Sequence, residues 1–396
     1  MNRSAYLIVG GGMTGDAAVG GIREVDRDGP IAVIGSEPHP PYDRPPLSKG
    51  LWKDKQEEAI WRKSDASGVR WHRGRTVRRL DPRNHRVTDD QGQEHAYDKL
   101  LLATGATPRR LDFGGEQVVY FRTLDDYRRL RTMAAHKRRF AVIGGGFIGS
   151  EIAAALAMNG REVTLIFPDQ GIGGRIFPPA LAEFLNGYYR DKGVEVLPGS
   201  SVVGMENRGA SALLRVRTPE GNERQVETDG VVAGIGISPN VELAHGAGLE
   251  TQNGIRVDAS LRAGHPDIFA AGDVATVRNP ILERWVRVEH EDNANTMGRM
   301  AGRAMAGEAL SFDHLSFFYS DLFDLGYEAV GELDARAELV ADWKDPYREG
   351  VVYYLQDGRV RGVLLWNVWE QVDKARQLIA EPGPFQPEDL KGRLGS

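Results

Sequence analysis

Apolar and polar positions repeat one pattern twice along the chain. Residues 5–9 (AYLIV) run into GGGMTG, a segment with helix-like apolar spacing (AAVGGIREV) follows, and the strand-like PIAVIG then leads to Glu37. Residues 140–143 (FAVI) run into GGGFIG, and EIAAALAMNG and EVTLIF then lead to Asp169. The pattern predicts two strand–turn–helix–strand units, as in α/β folds with parallel sheets.

Each unit carries glycines in G-x-G-x-x-G register, namely Gly10, Gly12 and Gly15 in the first and Gly144, Gly146 and Gly149 in the second. Glu37 lies 22 residues after Gly15, and Asp169 lies 20 residues after Gly149. This spacing places backbone amides on a pyrophosphate and an acid on a ribose hydroxyl, so it predicts two dinucleotides. The alternative is a pair of glycine-rich turns without a ligand.

The second acid indicates which nicotinamide cofactor binds. A carboxylate at that position suits a free 2′-hydroxyl, so Asp169 favours NADH over NADPH. Arg161 and Arg175 lie nearby in sequence and would weaken the preference.

Further apolar segments predict strands that end in turns or in a carboxylate. Residues 97–102 (YDKLLL) lead into Thr104 and Gly105, and residues 230–235 (GVVAGI) lead into Gly236. The segment IFAAGD ends at Asp273, which would lie at the carboxyl end of a strand, where ligands collect in open α/β sheets, or would cap a following helix. VVYYL and RVRGVLLW flank Gln-Asp-Gly, a hairpin signal, and residues 370–380 read as a short helix.

A proline-rich segment separates Glu37 from Lys49. Residues 38–47 hold five prolines and run directly into Ser48 and Lys49. Because proline fixes φ and lacks an N–H, the segment can be neither helix interior nor central strand. It forms a stiff connection between an acid and a cation.

Composition narrows the class of protein. The 396 residues are 41% hydrophobic and 27% charged, which suggests two or three globular domains. The net charge of −6 makes a nucleic-acid partner unexpected. No cysteine is present, so this chain alone has no thiol nucleophile, disulfide or thiolate metal site. No run of eighteen apolar residues and no signal-peptide pattern is found, so a cytoplasmic location without membrane contact, and no bound metal, are expected.

Several segments together resemble a known family. AVIGSEPHPPYDRPPLSKGLW, LLATGATP, VIGGGFIGSE, FAAGDVA and VEHEDNANTMGRMAG are similar to FAD- and NAD-binding flavoprotein reductases, specifically oxygenase-coupled ferredoxin reductases and apoptosis-inducing-factor oxidoreductases. The resemblance implies a glutathione-reductase-like α/β architecture. An FAD domain (1–115 and 237–310) would hold an inserted NAD domain (116–236), and a C-terminal α+β domain would follow (311–396).

The resemblance also implies a catalytic pair. Lys49 would stand beside flavin N5, where a cation stabilises the charge that arrives with hydride, and Glu151 would be its counter-ion. At about 4 Å and an effective dielectric of about 20, such a pair interacts by roughly 4 kcal/mol. The alternatives are a solvated surface lysine and an acid in the first turn of a helix.

The remaining site residues also follow from the resemblance or from strand-end positions. Those on the FAD side are Glu37, Arg44, Thr104, Gly105, Arg109, Asp273, Glu289, His290 and Tyr319, and His290 is also a catalytic candidate. Those on the NAD side are Phe147, Ile148, Asp169, Arg175 and Gly236, with Gly144, Gly146, Gly149 and Glu151.

Some of these assignments have structural alternatives. Arg44 and Arg109 could be plain surface guanidinium groups. Glu291 and Asn293 stand where the apoptosis-factor branch has histidines, and the alternative for His290 is a structural role. Tyr319 either replaces a stacking tryptophan or is a core aromatic residue.

The expected reaction is hydride transfer from NADH to flavin N5, followed by electron transfer to an external acceptor. A ferredoxin is the first candidate, and Arg109-Arg110, Arg128-Arg129-Arg131 and Arg138-Arg139 are candidate docking patches. The rival hypothesis is a slow, redox-sensing NADH oxidase like the apoptosis factor, with a stable charge-transfer complex and NADH-linked dimers. A quinone or small-molecule acceptor is a third possibility, and the chain is expected to be a monomer or homodimer.

Overall fold

The computed structural model of the chain describes residues 2–62 and 68–394. These residues form two compact units. Unit 1 comprises Met1–Arg44, Glu57–Thr107 and Ser238–Ser316, and unit 2 comprises Pro45–Gln56, Pro108–Ile237 and Phe317–Ser396.

The strands are numbered in chain order. They are β1 (Asn2–Val9), β2 (Ile31–Gly35), β3 (Val69–Arg73), β4 (Val77–Asp81), β5 (Arg86–Asp89), β6 (Glu94–Leu102), β7 (Ala106–Pro108), β8 (Val118–Tyr120), β9 (Arg139–Ile143), β10 (Glu162–Ile166), β11 (Val194–Leu197), β12 (Ser201–Arg208), β13 (Ser211–Arg217), β14 (Glu223–Thr228), β15 (Gly230–Ala233), β16 (Ile237–Pro239), β17 (Thr251–Gln252), β18 (Gly254–Val257), β19 (Arg262–His265), β20 (Ile268–Ala270), β21 (Ala275–Asn279), β22 (Arg284–Val286), β23 (Phe317–Leu322), β24 (Leu325–Gly331), β25 (Glu338–Asp345), β26 (Glu349–Gln356) and β27 (Arg359–Trp366).

The α-helices are α1 (Met13–Val25), α2 (Leu124–His136), α3 (Phe147–Met158), α4 (Pro179–Asp191), α5 (Glu242–Gly246), α6 (Glu291–Met305), α7 (Val372–Ala380) and α8 (Pro387–Leu390). Short 3-10 turns form at Pro45–Leu47, Gly50–Trp52, Glu57–Ile60, Gly115–Gln117 and Gly272–Val274.

Unit 1 is built on a sheet of eight strands. Its main path has the order β19-β20-β6-β1-β2-β3, and β5 and β4 continue from β6. The central strands β1, β2, β3, β6 and β20 pair in parallel. Both faces of β2, β20 and the carboxyl-terminal halves of β1 and β6 are covered, so these parts read as continuous apolar runs, and Leu7, Ile8 and Leu101 have no exposed surface. The edge strand β3 has residues that are half-buried or exposed. Strands β17, β18, β21 and β22 form a separate sheet.

Helices α1 and α6 of unit 1 pack closely. A Cβ atom at Gly302 would lie 2.1 Å from the carbonyl oxygen of Ala18, and one at Gly21 would lie 2.0 Å from that of Arg299. These glycines therefore permit the close approach of the two helices.

Unit 2 contains a fully parallel sheet in the order β11-β10-β9-β15-β8. Helix α3 packs on β9 and β10. Strands β12, β13 and β14 form an antiparallel sheet, and β23-β24-β27-β26-β25 form a second one. The hairpin expected at Asp357-Gly358 joins β26 to β27, and both residues have the positive φ angles (52° and 71°) that such a turn needs.

Both predicted strand–turn–helix–strand units are present, as β1–α1–β2 and β9–α3–β10. The helices begin earlier than the sequence suggested, at Met13 and Phe147, because Gly12 and Gly146 already act as their N-caps. Asp273 lies inside the short turn Gly272–Val274, so it is not the N-cap of a helix. The helix expected over residues 370–380 is α7, and it begins at Val372 rather than at residue 370. The predicted domain boundaries remain a prediction.

Candidate functional site

The two glycine-rich turns have the same geometry, each within its own unit. Gly10 and Gly144 have φ angles of 126° and 113°, which L side chains rarely adopt. A Cβ atom at Gly10 would lie 2.0 Å from the oxygen of Ala103, and one at Gly144 would lie 2.3 Å from that of Gly234. Each first glycine thus lets the turn pass against a neighbouring strand end.

The other glycines of the two turns fall into two groups, one that tight packing requires and one that it does not. A Cβ atom at Gly15 would lie 2.0 Å from the oxygen of Gly10, and one at Gly149 would lie 1.8 Å from that of Gly144, so helix and turn pack tightly there. At Gly146 a Cβ atom would meet no described atom within 4 Å, and at Gly12 it would approach only Arg44, at 3.7 Å. Packing does not require these two glycines, and the open space at each helix N-terminus fits a pyrophosphate.

Glu37 lies just beyond β2 in a polar cluster of unit 1. Its carboxylate accepts a hydrogen bond from the Tyr42 hydroxyl at 2.5 Å and one from the Arg44 guanidinium at 2.5 Å. The Arg44 side chain is only 25% exposed and lies beside Gly12. Arg44 is therefore anchored next to the first glycine-rich turn and is not a plain surface residue.

Lys49 and Glu151 form a buried ion pair in unit 2. The Lys49 Nζ lies 2.8 Å from Glu151 Oε1, and the two side chains are 11% and 3% exposed. Glu151 lies in the second turn of α3, within the helix body. The structure thus contradicts the alternatives of a solvated surface lysine and a first-turn acid.

Contacts on both sides of Lys49 hold its segment in place. The Trp52 indole N–H donates to the Leu47 carbonyl at 2.7 Å, and the Tyr127 hydroxyl donates to the Leu51 carbonyl at 3.0 Å. Arg131 lies over the Trp52 ring, at 5.0 Å from its centre. The prolines and these contacts together fix the position of the lysine backbone.

Aromatic side chains of unit 2 lie next to the ion pair and the second glycine-rich turn. The Lys49 ammonium lies 5.3 Å from the centre of the Tyr319 ring, and Phe147 meets Phe318 edge-on at 5.2 Å. Tyr319 is 36% exposed, so it is not a core aromatic residue, and its ring is accessible for stacking.

The second acid and its neighbours also lie in unit 2. Arg175 pairs with Asp169 at 3.3 Å, and the arginine is 78% exposed. The Arg109 backbone N–H donates to the Gly236 carbonyl at 2.9 Å, while the Arg109 side chain is exposed. Ile148 follows Phe147 in the first turn of α3.

The other FAD-side residues lie in unit 1. Asn240 bonds the backbone around Thr104 and Gly105, since its side-chain amide donates to the Thr104 carbonyl at 2.8 Å and its backbone N–H donates to that of Gly105 at 3.0 Å. Arg287 pairs with Glu289 at 2.6 Å and donates to the Asp273 carbonyl at 2.9 Å. His290 is the N-cap residue of α6, so it has a structural position at the start of that helix.

Two residues at the ion pair were missed by the sequence reasoning. Ser48 and Ser320 both donate hydrogen bonds to the Glu151 carboxylate, at 2.5 and 2.6 Å. Ser48 stands beside Lys49 in the sequence, which was a usable signal, whereas Ser320 is 169 residues from Glu151 and gave none.

The negative charge of Glu151 affects the pKa of two buried tyrosines near it. Burial, reinforced by this carboxylate, raises the pKa of Tyr189 and of Tyr327 well above the ordinary value. Among residues 2–62 and 68–394, no cluster of three or more potential metal-ligating side chains occurs, and no helix has the length and apolar character needed to span a membrane.

Two nucleotide-type turns, two parallel sheets and a buried lysine–carboxylate pair define the class as a two-dinucleotide oxidoreductase. The family model described as pyridine nucleotide-disulphide oxidoreductase matches residues 4–298, and that of the apoptosis-inducing factor C-terminal region matches residues 341–381. The chain belongs to the pyridine nucleotide-disulphide oxidoreductase family, and the predicted family and fold class are confirmed.

Curated relatives and a solved structure resemble the chain over nearly its whole length. It is 35% identical to the anthranilate 1,2-dioxygenase system ferredoxin–NAD(+) reductase component of Burkholderia cepacia, with 98% of this chain and 97% of the relative covered. It is 32% identical to the 3-phenylpropionate/cinnamic acid dioxygenase ferredoxin–NAD(+) reductase component of Photorhabdus laumondii, with 96% and 98% covered. A crystal structure of the covalent putidaredoxin reductase–putidaredoxin complex matches with a TM-score of 0.89 at 29% identity, with 98% and 95% covered.

Proposed function

We propose that the chain is an FAD-dependent NADH oxidoreductase that passes electrons to a ferredoxin. The observation that carries this proposal is its similarity, along almost the whole chain, to ferredoxin–NAD(+) reductase components. The cofactors FAD and NAD(H) agree with the family and with the two glycine-rich turns. When bound, FAD supplies the chemistry that accepts a hydride and releases single electrons.

The chain's own residues would bind and orient these cofactors. Gly12 and Gly146 leave the helix N-termini open for the two pyrophosphates. Glu37 would bind the adenosine ribose of FAD, and Arg44, which Glu37 holds beside Gly12, would contact its phosphate. Asp169 would bind the ribose of NADH.

Lys49 and Glu151 would act at the reacting atoms. An ammonium beside flavin N5 stabilises negative charge that develops there, and a dry environment strengthens this effect. Glu151 balances the charge of Lys49 and fixes the position of its Nζ, since both side chains are largely buried. The chain contains no cysteine, so it has no dithiol of its own to relay electrons.

The arginines of α2 are favoured over Arg138 and Arg139 as a ferredoxin docking patch. Arg138 and Arg139 pair with Glu162 and Asp229 at 2.6 and 2.8 Å, which cancels much of their charge, whereas the pair of Arg128 with Asp125 is longer, at 3.8 Å. Arg128, Arg129 and Arg131 are all exposed on α2, and Arg131 lies over Trp52 in the segment that bears Lys49. An acidic ferredoxin would be attracted to this face by long-range electrostatics.

Charge-reversal variants would show which of these patches a ferredoxin uses. R128E/R129E should raise the apparent KM for a ferredoxin about 10-fold at low salt and leave flavin reduction by NADH unchanged. R138E, which alters an arginine already paired with Glu162, is the matched control and should have a smaller effect. Equal effects of both variants, or none, would contradict docking on α2.

The experiment that tests the function itself is an anaerobic addition of NADH to the purified, flavin-loaded protein, followed by ferredoxin and cytochrome c. We expect rapid bleaching of the flavin and ferredoxin-dependent cytochrome c reduction. Bleaching without electron transfer to any ferredoxin would contradict the proposed acceptor.

A second candidate function is supported by the match of residues 341–381 to the apoptosis-inducing factor C-terminal region. Under it, the chain would oxidise NADH slowly and form dimers when NADH is added. Slow reoxidation in air, together with an NADH-dependent increase in mass by light scattering, would favour this function over ferredoxin reduction. We also propose a cytoplasmic location, which fractionation of the native cells would test.

A further inference from the structure

The carboxylate of Glu151 is held by one ammonium and two hydroxyl groups, which come from two separate chain segments. Oε1 forms an ion pair with the Lys49 ammonium at 2.8 Å and accepts a hydrogen bond from the Ser320 hydroxyl at 2.6 Å, and Oε2 accepts one from the Ser48 hydroxyl at 2.5 Å. Ser48, Ser320 and Glu151 are 5%, 1% and 3% exposed. A buried carboxylate is costly unless its oxygens are hydrogen-bonded, so these contacts decide its orientation.

The direction of the Ser48 hydrogen bond follows from the distances. A serine hydroxyl has one proton to donate, and the Ser48 Oγ lies 2.5 Å from Glu151 Oε2 but 3.4 Å from the Pro45 carbonyl. The shorter, charge-assisted bond is the stronger one. Ser48 therefore donates to Glu151, and the proline segment delivers both Lys49 and a donor to the same carboxylate.

Ser320 faces a tyrosine on the neighbouring strand. Ser320 on β23 stands directly opposite Tyr327 on β24 in the antiparallel pair. The Tyr327 ring is stacked on Trp366 at 5.6 Å and meets Phe177 edge-on at 5.2 Å, so aromatic packing fixes its position.

We propose that Ser48 and Ser320 are positioning residues that hold the Glu151 carboxylate and thereby aim the Lys49 ammonium. The two serines act through Glu151 and do not touch the reacting atoms. With both oxygens of Glu151 directed by hydroxyl groups, the carboxylate has one defined orientation, and Lys49 Nζ is paired with Oε1 in that orientation.

The two serines are not equivalent. Within the described part of the chain, Ser48 is the donor that the structure gives to Oε2, whereas Oε1 keeps Lys49 when Ser320 is removed. Loss of Ser48 therefore leaves a buried oxygen unsatisfied and lets the carboxylate rotate toward the ammonium. We expect Ser48→Ala to have a larger effect than Ser320→Ala.

The test is a double-mutant cycle with Glu151→Gln, in which the neutral amide replaces the carboxylate. In the wild-type background, Ser48→Ala should slow flavin reduction by NADH about 10-fold, equivalent to ~1.4 kcal/mol of transition-state stabilisation. In the Glu151→Gln background the same change should slow it less than about 3-fold, because hydrogen bonds to charged groups are about twice as strong as neutral ones. Ser200→Ala is the control, since Ser200 is buried in unit 2 and donates only to a backbone carbonyl.

A second readout is the thermal unfolding midpoint of the same variants, which should show the same background dependence. If Glu151→Gln does not fold, Lys49→Met is the second background, and there Ser48→Ala should destabilise more than in the wild type because the serines are then the donors left to the carboxylate.

Equal effects of Ser48→Ala in the charged and neutral backgrounds, or effects no larger than that of Ser200→Ala, would overturn the inference. The kinetic readout rests on the proposed function, whereas the unfolding readout does not. If NADH fails to reduce the wild-type flavin, the proposed function fails while the unfolding cycle still measures the coupling between serine and carboxylate.

Discussion

Replacing Lys49 with methionine tests the buried ion pair most severely. At the observed 2.8 Å separation and an effective dielectric of about 20, the pair interacts by roughly 6 kcal/mol. Much of that energy offsets the desolvation of two charges, so the loss in the single variant is set by the uncompensated carboxylate, at about 3–5 kcal/mol. For a folded unit of this size, about 1 kcal/mol lowers the melting temperature by ~2–4 °C, so we expect a decrease of roughly 6 °C or more.

The assay is thermal unfolding of the FAD-saturated protein, with Lys49→Met compared with Lys49→Met/Glu151→Gln. The double variant should recover part of the loss, because the glutamine is neutral. Its amide oxygen can accept from one of the two serines and its NH2 group can donate to the other. Lys192→Met is the control, since its partner Asp324 and Lys192 itself are exposed (62% and 38%) and exposed pairs contribute about 0–1 kcal/mol. A Lys49→Met variant as stable as the wild type, or no recovery in the double variant, would refute the reasoning.

Three further predictions concern the cofactor sites and pH. Arg44→Met should weaken FAD binding about 10-fold, as measured by fluorescence of released flavin, because the phosphate contact proposed for Arg44 would be lost; unchanged affinity would contradict that role. Asp169→Ala should lower the ratio of kcat/KM for NADH over NADPH about 10-fold, and an unchanged ratio would contradict its ribose role. Burial and the neighbouring His95 lower the pKa of His72 below its ordinary 6.5, so the unfolded chain binds more protons and stability should fall as pH decreases below 6.5. His72→Phe should flatten that dependence in unfolding experiments, and an identical slope would exclude His72 as its source.

Local patterns in the sequence were sufficient to predict the parts of the fold that depend on neighbours in the chain. Both glycine-rich turns and their flanking strands follow from short segments, because the turn, the helix N-terminus and the adjacent strand are contiguous. The hairpin at Asp357-Gly358 is also local, since a positive φ at both residues is a property of the turn itself. The helix starts were misjudged because Gly12 and Gly146 look like loop residues and are N-caps.

The site was predicted less completely, since its contacts join distant segments. Lys49 and Glu151 were paired through family resemblance, and the structure places them 2.8 Å apart. Ser320 reaches Glu151 only because β23 packs near α3, a tertiary contact that periodicity does not encode. The anchoring of Arg44 by Glu37 and Tyr42 was missed for a different reason: it requires the path of the proline segment.

The central claim is that Lys49, held by Glu151, assists the transfer of hydride from NADH to bound flavin. The most direct measurement is anaerobic stopped-flow reduction of the flavin by NADH in the wild type and in Lys49→Met. We expect rapid, complete bleaching in the wild type and a rate about 100-fold lower in the variant, since removal of one electrostatic stabiliser costs about 10²–10³-fold. Equal rates in the two proteins, with flavin bound in both, would contradict it.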